Sequence, residues 1–272
     1  MPMRRYTAAS DWDRAAADYA AWLPLVAPYG AHLVDRLGPR PGERVLDLAC
    51  GTGEPGLTAL EREPDLTVIG ADGARNMVRA ARGEAAERGF ARAAYCVARA
   101  ERLPFADGRF DGALCRFGLM LFDSPAKGLA ELFRVVRLGG RVGLAVWSVP
   151  ERVLCPALTL WALERHAAAP PEWPRTYALS EAGMLAGLCR AAGFSNVAEE
   201  TFDPGFAFES IDHFMALNLT GRFIEAPYAA MSERTKARFR DALAASALAH
   251  AAGDGRIRLA QEAIVVTAAR PS

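Results

Sequence analysis

Apolar runs that end in a polar residue alternate with amphipathic stretches through the first half of the chain. Val45-Leu46-Asp47-Leu48 runs into a cluster of glycines, and Val68-Ile69-Gly70-Ala71 ends at Asp72. Phe110–Cys115 and Val142–Trp147 repeat the pattern. Short unbroken apolar runs of this kind mark strands buried on both faces. Between the last two, Leu129, Leu132, Phe133 and Val136 recur at helical spacing, which predicts a helix over Pro125–Arg137 stopped by Gly139-Gly140. Strands and helices in alternation predict a parallel sheet covered on both sides, an α/β doubly wound fold.

The ends of the chain read differently. Ser10 with Asp13 forms a capping-box pattern that opens a helix with Trp12, Tyr19, Trp22 and Leu23 near one face. Pro24 and Pro28 interrupt it, and a second helix around Ala31–Leu37 ends at Gly38-Pro39. After Trp147 come five prolines (Pro150, Pro156, Pro170, Pro171, Pro174) and the aromatics Trp161, Trp173 and Tyr177. Ser180 is placed to cap a helix ending at Gly193, Val197–Phe208 reads as a strand, and residues 210–252 as helices capped by Ser210 and Ser232. Asp254-Gly255 turns the chain into a last strand over Arg256–Ala269.

Composition narrows the class. Of 272 residues 51% are hydrophobic, enough for one large domain, and the 32 basic residues balance the 32 acidic ones. With no long like-charge run, a broad nucleic-acid-binding face is not expected. There is no 18-residue apolar span and no apolar core after Arg4-Arg5, so neither a membrane segment nor a secretory leader is expected, and the cytoplasm is the expected compartment. Cys50, Cys96, Cys115, Cys155 and Cys189 are scattered without metal-type spacing, which reads as reduced thiols filling space, with no metal site expected.

The chemistry concentrates in Asp47-Leu48-Ala49-Cys50-Gly51-Thr52-Gly53-Glu54-Pro55-Gly56. Glycines let the backbone turn tightly and approach a ligand closely, and the following helix start offers unpaired N–H groups. Gly51, Gly53 and Gly56 satisfy G-x-G-x-x-G, and Asp72 lies about 20 residues on, as in nicotinamide and flavin sites. A carboxylate at Asp47 beside the turn would repel a pyrophosphate and welcome a cationic ligand. That favours S-adenosylmethionine, whose sulfonium and α-ammonium are both positive.

The run V-L-D-L-A-C-G-T-G-E resembles motif I of the class I S-adenosylmethionine-dependent methyltransferases, in the branch that includes the ubiquinone/menaquinone methyltransferases. Asp72-Gly73-Ala74-Arg75-Asn76-Met77, Ala100-Glu101-Arg102-Leu103-Pro104-Phe105, Phe110-Asp111-Gly112-Ala113-Leu114-Cys115 and Arg134–Arg141 are similar to later segments of that family, in order. The resemblance covers about residues 10–147. It implies a Rossmann-like seven-stranded sheet with the last strand antiparallel, plus a helical lid. On this reading residues 1–40 are helices that cover the cofactor, 41–147 the cofactor-binding core, 148–178 and 210–252 the lid, and 179–209 with 253–272 the rest of the core.

The resemblance also implies roles. Tyr19, Asp47, Ala49, Gly51, Thr52 and Gly53 would face the methionine end of the cofactor, and Asp72 the ribose hydroxyls. Gly73, Met77, Ala100 and Glu101 would surround adenine, with Arg116 and Phe117 near the amino-acid group. One departure stands out: the family's G-D-A before E-x-L-P-F is Ala98-Arg99-Ala100 here, and arginine has only donors to offer adenine. His213, His166 and Tyr19 are the candidate catalytic residues. Tyr177, Phe206, Trp161, Trp173, Phe223 and Tyr228 are candidates to line an apolar, aromatic-tolerant pocket.

The expected reaction is methyl transfer to an O, N or C atom of a small metabolite, leaving S-adenosylhomocysteine, by a monomer or homodimer. A same-fold enzyme catalysing a cyclisation or decarboxylation, or a nicotinamide-dependent oxidoreductase, is the alternative.

Overall fold

A computed structural model describes residues 12–14, 16, 19–167, 175–219 and 222–272, without the side chains of residues 222 and 223. Ser10, Trp173, Pro170, Pro171, Pro174 and the Phe223 ring therefore lie outside the described residues.

The helix α1 (Leu23–Leu37) carries Val26, Tyr29, Leu33, Val34 and Leu37 as one buried stripe. Pro24 and Pro28 do not divide it as the sequence reading expected. Pro24 sits in the first turn, where no N–H is needed, and Pro28 loses one backbone bond that the buried stripe outweighs. Gly38 ends it in the left-handed region, donating its N–H to the Val34 carbonyl at 2.9 Å.

Five strands run parallel: β1 (Arg44–Leu48), β2 (Thr67–Asp72), β3 (Ala93–Val97), β4 (Phe110–Arg116) and β5 (Val136–Trp147). The helices α2 (Gly56–Arg62), α3 (Arg75–Glu87) and α4 (Pro125–Val135) connect them, and α4 starts with Ser124 accepting the Lys127 N–H. Two more elements, α5 (Leu154–His166) and α6 (Met184–Ala191), precede β6 (Ser195–Phe202). A short pair, β7 (Phe206–Phe208) with β8 (Ile257–Leu259), brackets α7 (Ile211–Leu219), α8 (Arg222–Ala229) and α9 (Glu233–Leu248). The chain closes with β9 (Ala263–Ala269).

The main sheet has seven strands in the order β3-β2-β1-β4-β5-β9-β6. Only β9 runs against its neighbours, pairing antiparallel with both β5 and β6. The expected seven-stranded sheet with an antiparallel last strand is therefore present. Strand order reverses between β1 and β4, and in such sheets ligands bind at the carboxyl ends beside that reversal.

Three boundaries differ from expectation, each for a local reason. Gly139-Gly140 does not stop α4; the helix ends at Val135 and the glycines sit within β5, at an irregularity in its pairing with β4. A side chain at Gly140 would lie 2.7 Å from the Asp111 carbonyl oxygen, so glycine lets the strands close up. Ser180 caps nothing: α6 begins after Gly183, whose left-handed backbone resets the chain direction. Asp203-Pro204-Gly205 divides the expected Val197–Phe208 strand, and Ala260-Gln261-Glu262 likewise parts β8 from β9. Asp203 accepts the N–H of Gln261 at 2.9 Å, holding the two breaks together.

The later helices are rooted at the carboxyl end of β5. The Ser148 N–H bonds the Glu262 carbonyl, Leu154 the Ala260 carbonyl, and the Cys155 N–H the Gln261 side chain at 3.1 Å. Asn218 on α7 accepts from Thr159 and Cys155 on α5, tying the two helices through buried polar groups. No helix among the described residues is long and apolar enough to cross a membrane.

At the strand reversal the backbones meet so closely that a Cβ on Gly118 would overlap that of Ala49. Neither atom has a rotamer to change. Gly118→Ala is expected to lower stability by about 1–3 kcal/mol, read as a lower urea midpoint; an unchanged midpoint would show that the strand ends can part.

Candidate functional site

The glycine turn leaves β1 in a strained path. Ala49 (φ 56°), Gly51 (φ 53°) and Gly53 (φ 111°) all take positive φ, and across the reversal Phe117 does too (φ 58°). Left-handed alanine and phenylalanine are uncommon and gather at functional sites. Both are pinned: Ala49 donates to the Ala71 carbonyl at 2.7 Å and Phe117 to that of Ala145 at 2.8 Å. Glu54 is engaged at the start of α2, accepting from the Thr58 N–H and hydroxyl and from Arg88.

Asp72 stands at the end of β2, half-buried. One carboxylate oxygen accepts the Gly51 N–H at 2.9 Å and the other the Ala74 N–H at 2.8 Å. It thus ties the turn after β1 to the start of α3, and each oxygen keeps further acceptor capacity. Burial pushes its carboxyl above the usual range, against those two bonds. Ala98 donates to the Asp72 carbonyl at 2.9 Å, which brings residues 98–101 beside it.

Around Asp72 the other candidates assemble as a rim. Trp12, Ala16 and Tyr19 pack on Ala74 and Met77, and Asp13 accepts the Asn76 N–H at 2.7 Å. The described part of the N-terminal segment is thereby docked beside Gly73, which is exposed. Ala100 is buried. Glu101 turns away to accept the N–H groups of Asp123 and Ser124, at the start of α4, leaving less of its carboxylate for a ligand. Arg99, in the place of the family's acid, reaches outward to Asp123 at 2.6 Å, and Arg175 approaches the same carboxylate at 3.5 Å.

Asp47 is not where the sequence argument put it. It is 0% exposed, beneath the turn, with one oxygen accepting the Gly56 N–H at 2.8 Å and the other without a hydrogen-bond partner. Desolvation pushes its carboxyl up to about 8, with the Gly56 bond and nearby Arg116 opposing. A mostly neutral, covered group neither repels a pyrophosphate nor attracts a sulfonium, so the charge argument drawn from it is corrected. Its role is to shape the turn, and a side chain at Gly56 would fall 2.9 Å from that carboxyl. Buried Thr52 has a hydroxyl without a partner, as does Tyr95, which crosses over Gly70 to reach beneath Gly53.

Beside the turn, at the carboxyl ends of β4 and β5, four rings close on one another. Phe117 stacks on Trp147 with centroids 3.7 Å apart, and Tyr29 meets both edge-on at 5.3 and 5.1 Å. Phe206 meets Tyr29 at 6.2 Å and Trp147 at 6.0 Å. Half-buried Trp22 approaches Phe206 from the rim at 6.5 Å. The Tyr29 hydroxyl is given to the Gln261 carbonyl, and burial raises its pKa. Sequence reasoning named Phe206 and Phe117 but not Tyr29 or Trp147. Trp147 was legible as the last residue of a strand pointing at the site, whereas Tyr29 was hidden inside a helix thought to be broken.

The candidate bases fare less well. The His213 ring nitrogen Nδ1 accepts the Glu209 N–H at 3.3 Å while its own N–H goes to Ser210, a reciprocal cap at the start of α7. Its ring lies against Phe208, one ring removed from Phe206. His166 is in the last turn of α5, and Tyr19 packs against Trp12. Tyr177 donates to the Val153 carbonyl and Tyr228 packs on Phe239. The structure does not bring His213, His166 and Tyr19 to one point. Among the described residues no three His, Cys, Asp or Glu side chains gather as a metal site.

Two outcomes follow. Asp72→Ala orphans the Gly51 and Ala74 donors, and is expected to cost about 1–2 kcal/mol of stability in chemical unfolding, with Asp72→Asn costing less. Equal stability of Asp72→Ala and wild type would remove the tie assigned to it. The raised Asp47 pKa gives stability that is complete below the ordinary carboxylate range and lost as pH rises through about 8. Asp47→Asn should therefore gain on wild type between pH 4 and 9; a difference that stays flat with pH would contradict a raised native-state pKa.

Comparison with known proteins agrees with this geometry. Residues 45–140 match the family model described as a methyltransferase domain. Demethylmenaquinone methyltransferase of Beutenbergia cavernae is 42% identical over 117 residues, 43% of this chain and 46% of that protein. The match thus spans about half the length of that relative. Nocamycin O-methyltransferase of Saccharothrix syringae is 35% identical over 207 residues, 69% of this chain and 72% of the relative. Among solved structures, the cyclase SpnF superposes with a TM-score of 0.60 at 22% identity, covering 90% of this chain and 81% of that one, a likeness of fold. The chain belongs to the class I S-adenosylmethionine-dependent methyltransferases, in the ubiquinone/menaquinone methyltransferase-like branch.

Proposed function

We propose that the protein transfers a methyl group from S-adenosylmethionine to an O, N or C atom of a small, largely apolar or aromatic metabolite. When bound, S-adenosylmethionine supplies an electrophilic methyl on a sulfonium, and a neutral thioether leaves. The chain has then to bind both reactants, orient them and exclude water, which brings much of the acceleration in such displacements. The residues fit that cofactor. Asp72 keeps acceptor capacity for two ribose hydroxyls, and Ala49, Gly51 and Gly53 present backbone. Gly73, Ala74 and Met77 with Tyr19 and Ala100 give a small, apolar surround for a flat base.

The observation that carries the acceptor class is the ring cluster of Tyr29, Phe117, Trp147 and Phe206 beside the turn. Rings of this kind favour flat or apolar partners by area and by edge-to-face contact. The O-methyltransferase named for nocamycin, which matches well beyond the cofactor-binding part, supports the same reading. We assign α5 and α7 to α9, rooted at the end of β5, to the acceptor lid. His213 is retained as a positioning residue of α7; as a base it would first have to release the Glu209 N–H.

Calorimetry is expected to show micromolar binding of S-adenosylhomocysteine and no heat with NAD(H). With an aromatic acceptor panel, methyl donor should be consumed and S-adenosylhomocysteine released in equal amount. Acceptor turnover without donor consumption would instead assign a cyclisation or decarboxylation on the same fold, and activity confined to polar or macromolecular acceptors would reject the substrate class.

A further inference from the structure

Arg116 is the last residue of β4 and only 7% exposed, beside the glycine turn. A guanidinium carries five donors and keeps its charge when buried. One is used here: Nη1 donates to the Val26 carbonyl of α1 at 3.2 Å, while Nε is buried without a partner. Among the described residues no carboxylate oxygen lies within ion-pair distance of it. Asp47, the acid whose field reaches it, is the covered carboxyl described above, held mostly neutral by its burial.

The packing makes room for this arginine on purpose. A Cβ at Gly30, in the interior of α1, would lie 3.1 Å from the Arg116 Nη1 and 3.1 Å from the Pro55 Cβ. A glycine there costs the helix about 0.5–1 kcal/mol relative to alanine. The helix accepts that cost, and a buried cation without a counter-ion costs more. An anion delivered by a ligand at the turn would settle both the charge and the unpartnered Nε.

We propose that Arg116 recognises the carboxylate of the cofactor's amino-acid group, so that the site distinguishes the complete nucleoside from one lacking only that carboxylate. The inference rests on the S-adenosylmethionine reading of the site and adds to it a residue that sets ligand specificity. Recognition by a buried guanidinium is strong because the charge-assisted bonds form away from water. Lysine at this position would keep the charge on a single nitrogen and lose the fork.

The test compares two ligands on three proteins by calorimetry: S-adenosylhomocysteine and its decarboxylated analogue, in which a 3-aminopropyl group replaces the amino-acid tail. Wild type should favour S-adenosylhomocysteine by about 10- to 100-fold. Arg116→Met should lose that preference by weakening S-adenosylhomocysteine alone, leaving the analogue within about threefold, and Arg116→Lys should fall between. Equal affinity of wild type for both ligands overturns the proposal whether or not the variants fold. Parallel loss of both ligands in a folded Arg116→Met also overturns it, making Arg116 a support of the turn. Wild type that binds neither ligand would defeat the cofactor reading itself.

Discussion

The site depends on a hydrogen bond that no ligand touches. The buried Asp47 carboxyl accepts the Gly56 N–H at 2.8 Å and so fixes where β1 stops, where the turn bends and where α2 starts. With no side chain on Gly56 the two can meet, and with the carboxyl covered its charge is largely suppressed. Asp72 then joins that turn to the start of α3 through Gly51 and Ala74. Two acids therefore share the labour: one shapes the backbone from below, the other stands half-open at the edge where a ligand arrives.

The carboxyl edge of the sheet divides into two chemically different halves. Toward β2 and β3 the walls are small residues, backbone and the docked Trp12–Tyr19 segment, suited to a nucleoside. Toward β5 they are large rings, with Phe117 in a left-handed backbone at the border. That backbone, pinned by the Ala145 carbonyl, turns the Phe117 ring onto Trp147. The aromatic half is anchored by Tyr29 of α1, whose hydroxyl reaches the Gln261 carbonyl between β8 and β9. Residues far apart in sequence thus form one wall, and the later helices hang from the same junction through Cys155 and Gln261.

Much of the core was legible because its signals are local. Unbroken apolar runs, a glycine turn and an acid about 20 residues on specify a strand, a bend and a second strand within one stretch of chain. The glycines inside β5 were misjudged because Gly139-Gly140 serves a close approach to Asp111, which lies in another strand. Pro28 misled because a buried stripe on α1 outweighs one missing backbone bond. His213 looked available from its neighbours Phe214 and Met215, yet its ring is committed to the Glu209 N–H.

By itself the sequence determined the fold class, the glycine turn and the identity of Asp72 as the acid at the second strand end, since these follow from short-range pattern and chain direction. Only the tertiary structure decided what each polar group faces. Burial turned Asp47 from an expected charge into a covered cap, left Arg116 beneath α1 with an unpartnered nitrogen, and gathered Tyr29, Phe117, Trp147 and Phe206 into one wall. Desolvation and contact are properties of three-dimensional surroundings, and no spacing along the chain encodes them.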